Sequence, residues 1–172
     1  ILTETDNRPY LVGFSSLFQP LEDGPKFEVP QDVVVQIDGG AIIKFHGANI
    51  DVGTSAVGID RSEGALQVLG TTERETYFTS FNNDLIGGDS NGNNNNPISE
   101  DWGGLVLRDD SDAQDMTADP SDPGIFLNYV NHASLSYGGG KVTVDSVETV
   151  FSPIHIVTTR PTISNNTITL SA

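Results

Sequence analysis

Two short apolar runs with only a turn between them decide the fold. The first reads Val33-Val34-Val35-Gln36-Ile37, it is closed by Asp38-Gly39-Gly40, and Ala41-Ile42-Ile43-Lys44-Phe45 follows at once. β-Branched and aromatic residues favour extended chain, whereas Asp and Gly favour turns. The stretch therefore predicts two β-strands joined by a tight turn.

Similar runs recur along the rest of the chain, each ending at Gly, Asn, Asp or Pro. They occupy residues 49–53, 65–70, 76–81, 104–107, 126–130, 133–137, 142–144, 153–157, 161–163 and 167–170. No stretch holds a 3.6-residue period, and the Asn-Gly signal of tight hairpins is nearly absent between the runs. The pattern predicts an all-β, right-handed parallel β-helix, a solenoid in which each coil supplies one strand to each of three sheets. A β-sandwich is the competing architecture.

The predicted β-helix spans residues 32–172 and follows an irregular N-terminal cap, residues 1–31, which contains four prolines. The steps from Ala65 to Gly104, Phe126, Val142 and Ile163 predict about one coil each. Segment 54–64 and two long acidic loops, 82–101 and 109–124, are expected to leave the solenoid from one corner. The chain stops within a strand pattern, so the solenoid is expected to continue beyond the C-terminus.

The charge balance excludes several classes of partner. Eight Lys and Arg against 24 Asp and Glu give a net charge of -16, which repels nucleic acid and anionic lipid. The sequence has no cysteine, which removes thiolate chemistry, and no apolar run has the ~20 residues of a membrane span. A bound Ca²⁺ would stabilise closely spaced carboxylates, although a requirement for solubility alone also explains the acidity.

An ordered series of motifs carries a resemblance to a family. It comprises residues 65–72, the run Tyr77-Phe78-Thr79-Ser80, the glycine-rich stretch 87–92 and Asp101-Trp102-Gly103-Gly104-Leu105. The series resembles the right-handed parallel β-helix repeat regions of very large secreted bacterial proteins, such as those of planctomycetes and cyanobacteria. That resemblance implies an extracellular or cell-surface structural module. The fold is shared with pectate-lyase-like enzymes, but a shared fold does not transfer activity.

Loop 82–101 is the strongest candidate for a metal site. Asp89, Asn91 and Asn93 stand at alternate positions, and Glu100 is the twelfth residue counted from Asp89, as in the ligand spacing of an EF-hand loop. With Asp84 and Asp101 these residues form the predicted Ca²⁺ ligand set. The alternative interpretation is an Asn- and Gly-rich surface loop that binds no metal.

Catalytic residues are not predicted. The second acidic loop is interpreted as a solvated turn-rich bulge, with a second Ca²⁺ site as the alternative; its acids are Asp109, Asp110, Asp112, Asp115, Asp119 and Asp122. A β-helical glycosidase or lyase needs a positioned His or a basic residue beside its carboxylates, and only Arg160 offers itself as a base. His46, His132 and His155 are too far apart in sequence to suggest a shared metal site.

Two further features have a structural and a functional interpretation each. Trp102 is expected to pack under the preceding loop with its indole N–H paired, and stacking on a sugar ring is the alternative. Asn165 and Asn166 are expected to bond to neighbouring coils as an asparagine ladder, and an Asn-x-Thr glycosylation acceptor at Asn165 is the alternative.

The sequence therefore favours a non-catalytic structural or adhesive module, stabilised by Ca²⁺ and stacked on further coils or on other copies of the chain, with self-assembly into a filament as an extension. A polysaccharide-binding or polysaccharide-degrading β-helix is the second hypothesis. A mineral- or ice-binding face is the third, although only scattered pairs such as Thr158-Thr159 support it.

Overall fold

Fifteen strands make up the regular structure of the described residues, which contain no helix. The computed structural model describes residues 1–13, 26–54, 60–92, 95–108, 110–111, 127–144, 147–150 and 152–172. The strands are β1 (Tyr10–Gly13), β2 (Lys26–Glu28), β3 (Val34–Asp38), β4 (Ile42–His46), β5 (Asn49–Val52), β6 (Ala65–Leu69), β7 (Thr76–Ser80), β8 (Gly104–Arg108), β9 (Tyr129–Asn131), β10 (Ala133–Ser136), β11 (Lys141–Val144), β12 (Val147–Val150), β13 (Ile154–Val157), β14 (Thr162–Ser164) and β15 (Thr167–Thr169). Across these ranges, a helix long and apolar enough to span a membrane is not found. The prediction of an all-β protein is confirmed.

Three parallel sheets hold thirteen of these strands. Sheet I has the order β1-β4-β7-β10-β15, sheet II the order β2-β5-β8-β13, and sheet III the order β3-β6-β9-β14. Every pairing within these sheets is parallel. The predicted parallel pairing is confirmed, and the β-sandwich alternative, which requires antiparallel sheets, is wrong.

The chain visits the three sheets in a fixed rotation. Starting at β1, successive strands belong to sheets I, II and III, and the same order repeats until β15, with β11 and β12 as the one interruption among the described strands. Strands that neighbour each other in a sheet are therefore three strands apart along the chain, or five where β11 and β12 intervene. The short β-branched runs are suited to this arrangement, because each needs to cross only one face before the chain turns.

The core is a set of apolar side chains stacked in register between the sheets. In sheet I the register aligns Ile43, Phe78 and Leu135. Sheet II aligns Ile50 with Leu105. Apolar side chains are aligned in the same way at the central positions of sheet III. These side chains are 1% exposed or less. Their apolar contact supplies the main stabilisation of the fold, since a fully buried Leu or Phe contributes about 1.5–3 kcal/mol.

Tight stacking of successive turns requires glycine after β5. Gly53 has φ +93°, which side chains rarely adopt, and a Cβ at this position would lie 2.7 Å from the carbonyl oxygen of Arg108. Arg108 ends β8, the neighbour of β5 in sheet II. The glycine thus allows the chain to turn directly against the end of the adjacent strand.

The insertions leave from two of the three corners, so the prediction of a single corner is wrong. Residues 81–103 and 137–153 lie between strands of sheets I and II, whereas 53–64 and 109–128 lie between sheets II and III. Every passage from sheet III to sheet I is short, and the shortest is His132 alone between β9 and β10. At this third corner the turns lie directly on one another, which leaves no room for inserted chain.

The predicted coil spacing is also wrong in its details. Gln67 pairs with Tyr129 and Tyr129 with Thr162, so equivalent positions do not follow the series Ala65, Gly104, Phe126, Val142 and Ile163. Val142 belongs to β11, which forms an antiparallel hairpin with β12 instead of a coil strand, and Phe126 lies outside the described residues. The insertions differ in length, and this obscures any constant period in the sequence.

Residues 1–31 are less irregular than their prolines suggest. In the described ranges 1–13 and 26–31, β1 forms the first edge of sheet I and β2 the first edge of sheet II. Leu2 forms a parallel bridge to Ile37 at the edge of sheet III. These residues therefore extend all three sheets, while the division of the chain at residue 31 stays a prediction.

Candidate functional site

Loop 82–101 contacts the outer face of sheet I. The register places Lys44, Thr79 and Ser136 side by side on β4, β7 and β10, on the face opposite to the core. The hydroxyl oxygens of Thr79 and Ser136 lie 2.8 Å apart, and the Asn83 amide donates to the Thr79 hydroxyl at 2.8 Å. All four side chains are buried. These hydrogen bonds attach the first turn of the loop to buried polar side chains on the outer face of sheet I.

Lys44 supplies a buried cation to this loop. Its side chain has no exposed surface, and its ammonium donates to the carbonyl oxygen of Gly88 at 2.5 Å. Burial lowers the pKa of Lys44, while the carboxylates of Asp84 and Asp89 oppose that shift. Lys44 was not predicted as a site residue, although a lysine between Ile43 and Phe45 in an apolar run was a usable signal.

The structure divides the predicted Ca²⁺ ligands into separate groups. Asp84 and Asp89 act on the Lys44 ammonium, and the Oδ1 atom of Asp89 also accepts the backbone N–H groups of Asn91 and Gly92 at 3.0 and 2.7 Å. The Asn91 amide donates to the Phe81 carbonyl oxygen at 3.3 Å. Loop-internal hydrogen bonds therefore engage Asp89 Oδ1, an atom that a bound metal would need.

The other predicted ligands lie at the far end of the loop. Asp101 Oδ2 accepts from the Ser80 hydroxyl at 2.5 Å and from the Ile98 N–H at 3.1 Å. Glu100 precedes it at φ +72°, and Asn93 lies outside the described residues. Searching the described residues for three or more His, Cys, Asp or Glu side chains that could hold one metal gives no such group. Ca²⁺ binding stays a prediction, with Lys44 as a competing cation.

We expect Ca²⁺ to stabilise a Lys44→Met variant more than it stabilises the natural chain. The substitution leaves Asp84 and Asp89 without the buried ammonium, so a bound divalent cation would take over its role. Melting temperatures measured in millimolar Ca²⁺ and in chelator should differ by only about 1 °C for the natural chain and by several degrees for Lys44→Met.

Lys141→Met is the matched control, because it removes the same charge from an exposed pair with Glu148. Its melting temperature should respond to Ca²⁺ as the natural chain does. A large Ca²⁺ effect on the natural chain itself would contradict the role given to Lys44 and would support a metal in loop 82–101.

Little of the second acidic loop belongs to the described structure. Asp110 Oδ1 accepts the Thr54 N–H at 2.7 Å, and the Asp110 carbonyl oxygen accepts the Glu63 N–H. Asp110 therefore joins two insertions at the corner between sheets II and III. The remaining predicted acids of this loop lie outside the described residues; they are Asp109, Asp112, Asp115, Asp119 and Asp122.

Charged side chains gather on the outer face of sheet II, where the sequence analysis predicted no site. Asp51 is fully buried and its Oδ1 atom accepts from Arg108 Nε at 2.9 Å. Glu28 Oε1 forms ion pairs with Lys26 Nζ at 2.8 Å and with Arg61 Nη2 at 2.6 Å. Burial works against ionised Glu28, but these two cations more than offset it and leave the Glu28 pKa lowered. On this face Lys26, Arg61 and Arg108 are thus engaged with carboxylates.

The histidines occupy three different parts of the molecule. His46 stacks on Phe81 with ring centroids 5.1 Å apart, and His132 forms the turn between sheets III and I. His155 lies on the outer face of sheet II, where burial and the nearby Arg108 charge lower its pKa. Arg160, the one base considered for catalysis, follows β13 on an exposed turn.

Trp102 is buried with its indole N–H paired, as predicted, and its ring packs in the core, which was not predicted. Its side chain is buried, its ring stacks on Phe45 with centroids 4.4 Å apart, and its indole N–H donates to the carbonyl oxygen of Ser136 at 2.8 Å. The sugar-stacking alternative is wrong for this residue, since its ring faces are covered.

Asparagines join successive turns at the corner between sheets III and I. The Asn165 amide donates to Asn131 Oδ1 at 3.3 Å, which confirms one step of the predicted ladder. Asn166 instead bonds to backbone, accepting from the Ala133 N–H at 2.8 Å and donating to the Val130 carbonyl oxygen at 2.7 Å. Glycosylation at Asn165 stays untested.

An apolar surface lies where the three sheets reach their last strands. β15, β13 and β14 are edge strands of sheets I, II and III. Ile168 aligns with Leu135, Ile156 with Leu107 and Ile163 with Val130. The inner partners are completely buried, whereas Ile168 is 49%, Ile156 45% and Ile163 38% exposed. We call these three strands and their isoleucines the C-terminal end face.

Comparison with known proteins gives no relative for this chain. No family model, no curated protein and no solved structure matches it. The resemblance to β-helix repeat regions therefore stays an interpretation of the sequence.

Proposed function

We propose that the chain is a non-catalytic structural module built as a right-handed parallel β-helix. The fixed rotation through three parallel sheets supports this architecture, and the strong preference of parallel crossover connections for one hand supports right-handedness. Each rotation is one coil. Such a stack is a rigid support from which insertions project.

The C-terminal end face carries the proposal. Isoleucines in register with the core remain half exposed there, beside three strand edges that present unpaired N–H and C=O groups. Residues 152–172 contain no Asp or Glu, in a chain with a net charge of -16. A surface that is apolar, free of acidic residues and lined by strand edges is suited to receive a further parallel coil.

The acidic insertions fit a surface or matrix location. They occur at two of the three corners, so the module would display carboxylates along its flanks in an extracellular medium. Adhesion through these loops belongs to the same proposal, and Ca²⁺ is proposed to add little stability as long as the Lys44 ammonium interacts with Asp84 and Asp89. The chain has no cysteine, so its stability in such a medium would not depend on disulfide bonds.

Polysaccharide binding or degradation is the second candidate function. The observation in its favour is the group of basic residues on the outer face of sheet II, beside His155. Arg61 and Arg108 are, however, 3% and 14% exposed and already paired with Glu28 and Asp51. Cations so engaged are poorly placed to bind the carboxylates of an acidic sugar, which favours the structural role.

Addition of one coil tests the proposed function. A second copy of residues 152–172 appended after Ala172 would supply the next strands of sheets II, III and I in the correct rotation. We expect it to cover Ile156, Ile163 and Ile168 and to raise the melting temperature by about 5 °C or more. Hydrogen exchange should show protected amides in the added segment.

The control appends the same segment with its copies of Ile154, Ile156, Ile163 and Ile168 replaced by Asn. It should leave the melting temperature unchanged, since no apolar side chains would continue the core. An unprotected added segment in the first chain would refute the proposal that this end receives a further coil.

A further inference from the structure

We propose that Asn91 is a site of spontaneous deamidation, and that the folded loop 82–101 controls the rate by holding both reacting nitrogen atoms in hydrogen bonds. This covalent modification goes beyond the structural role proposed above and does not depend on it. It rests on one dipeptide of the sequence and on the partners that its two residues have in the fold.

The sequence contains one Asn-Gly pair, Asn91-Gly92. The backbone nitrogen of the glycine can attack Cγ of the asparagine side chain, because glycine has no Cβ to obstruct the approach. The new N–Cγ bond closes a cyclic imide, the bond from Cγ to Nδ2 breaks, and Nδ2 leaves as ammonia with the proton of the Gly92 N–H. Water then opens the imide at either of its two C–N bonds, which leaves aspartate or isoaspartate at position 91.

Both nitrogen atoms are engaged in the folded loop. The Gly92 N–H donates to Asp89 Oδ1 at 2.7 Å. Asn91 Nδ2 donates to the Phe81 carbonyl oxygen at 3.3 Å and to Asn82 Oδ1 at 2.9 Å. The attack requires the Gly92 nitrogen to lose its proton and to approach Asn91 Cγ, so it must give up its contact with Asp89. Deamidation therefore requires a local opening of the loop.

The Asp89 carboxylate opposes the first step. The glycine nitrogen attacks as an anion, and a carboxylate oxygen 2.7 Å from that nitrogen disfavours the loss of its proton. The same oxygen accepts the Asn91 N–H at 3.0 Å, which holds the two residues in one turn. Access of water does not limit the later step, because Gly92 is exposed and a Cβ built on it would meet no atom beyond the neighbouring residues within 4 Å.

Conversion detaches position 91 from the end of β7. Phe81 and Asn82 directly follow this strand, and each offers an oxygen atom to the Asn91 amide. A carboxylate at position 91 has acceptor oxygens and no proton to donate, so it repels those atoms. It also adds a negative charge two residues from Asp89, in a chain with a net charge of -16. The change is irreversible and accumulates with the age of the molecule.

Peptide mass spectrometry measures the rate of conversion at Asn91. The full chain is incubated at neutral pH, once folded and once unfolded in guanidinium chloride. We expect the folded chain to convert at least about tenfold more slowly, since only its opened fraction reacts. Equal rates would overturn the control by the loop, and an unfolded chain that stays unconverted at Asn91 would overturn the site itself.

Two variants separate the contact with Gly92 from the contact with Lys44. Asp89→Ala removes the acceptor of the Gly92 N–H, and Asp84→Ala is the matched control, because both carboxylates act on Lys44. In folded chains, verified by circular dichroism, we expect Asp89→Ala to raise the rate at Asn91 several-fold and Asp84→Ala to leave it near that of the natural chain. An unchanged or lower rate in Asp89→Ala would overturn the proposal, and a lower rate would show that Asp89 acts as a base. Equal acceleration in both variants would assign the control to Lys44 and would likewise contradict the role of the Gly92 hydrogen bond.

Discussion

Replacement of Trp102 by alanine is expected to lower the free energy of unfolding by about 3–5 kcal/mol. Trp102 is 1% exposed and packs in one cluster with two aromatic rings, with its centroid 4.4 Å from that of Phe45 and 6.5 Å from that of Phe78. The substitution leaves a large cavity at the centre of the core. It also removes the indole donor from the Ser136 carbonyl oxygen.

Urea unfolding followed by far-UV circular dichroism measures this loss. Trp102→Phe is the informative companion, because it keeps an aromatic ring and removes the indole N–H. We expect an intermediate loss of about 1–3 kcal/mol for it. Leu85→Ala, at an almost fully exposed side chain, should change the free energy of unfolding very little. Equal stability of Trp102→Ala and the natural chain would contradict the central packing role of Trp102.

The strands were predictable because their local sequence and their tertiary environment agree. The run 33–37 became β3 and the run 41–45 became β4, each displaced by only one residue. Phe78 and Leu135 were buried as their position in apolar runs suggests. A short β-branched run closed by a turn residue is sufficient for a strand, whichever sheet it joins.

The pairing of those strands was harder to predict. Val142 and Thr143 alternate as a coil strand would, yet β11 turns back on β12. In the same way, insertions of unequal length separate Gln67 from its partner Tyr129. Local propensity does not determine which strands pair with each other. The pairing depends on the lengths of loops that contribute nothing to the core.

For the loops, too, composition was predictable from the sequence and contacts between distant residues were not. A polar, turn-rich loop at 82–101 was predictable from its composition, but its contact with Lys44 was not, since the residues that meet there lie on different turns of the chain. Asp51 and Arg108 are likewise 57 residues apart and meet only through the pairing of β5 with β8. Charged side chains inside apolar strands were the available signal for both.

The ion pair of Asp51 and Arg108 should respond strongly when one partner is removed. We expect Asp51→Val to cost about 3–5 kcal/mol of unfolding free energy, because it leaves a largely buried guanidinium without its carboxylate. Arg108→Met should cost a similar amount, since Asp51 has no exposed surface. Chemical unfolding of both variants gives these values. Loss of the Arg108 charge should also raise the pKa of His155, which NMR titration can follow.

The double variant Asp51→Val with Arg108→Met should recover most of the lost stability. Within the described structure, Asp51 Oδ2 and Arg108 Nη2 have no hydrogen-bond partner, so the natural pair is incompletely satisfied and an apolar replacement is tolerable. Val106 already occupies the position next to Asp51 in the register of sheet II, and a second valine would pack beside it. Because a structural pair predicts strong coupling between the two substitutions, simple additivity of their costs would contradict it.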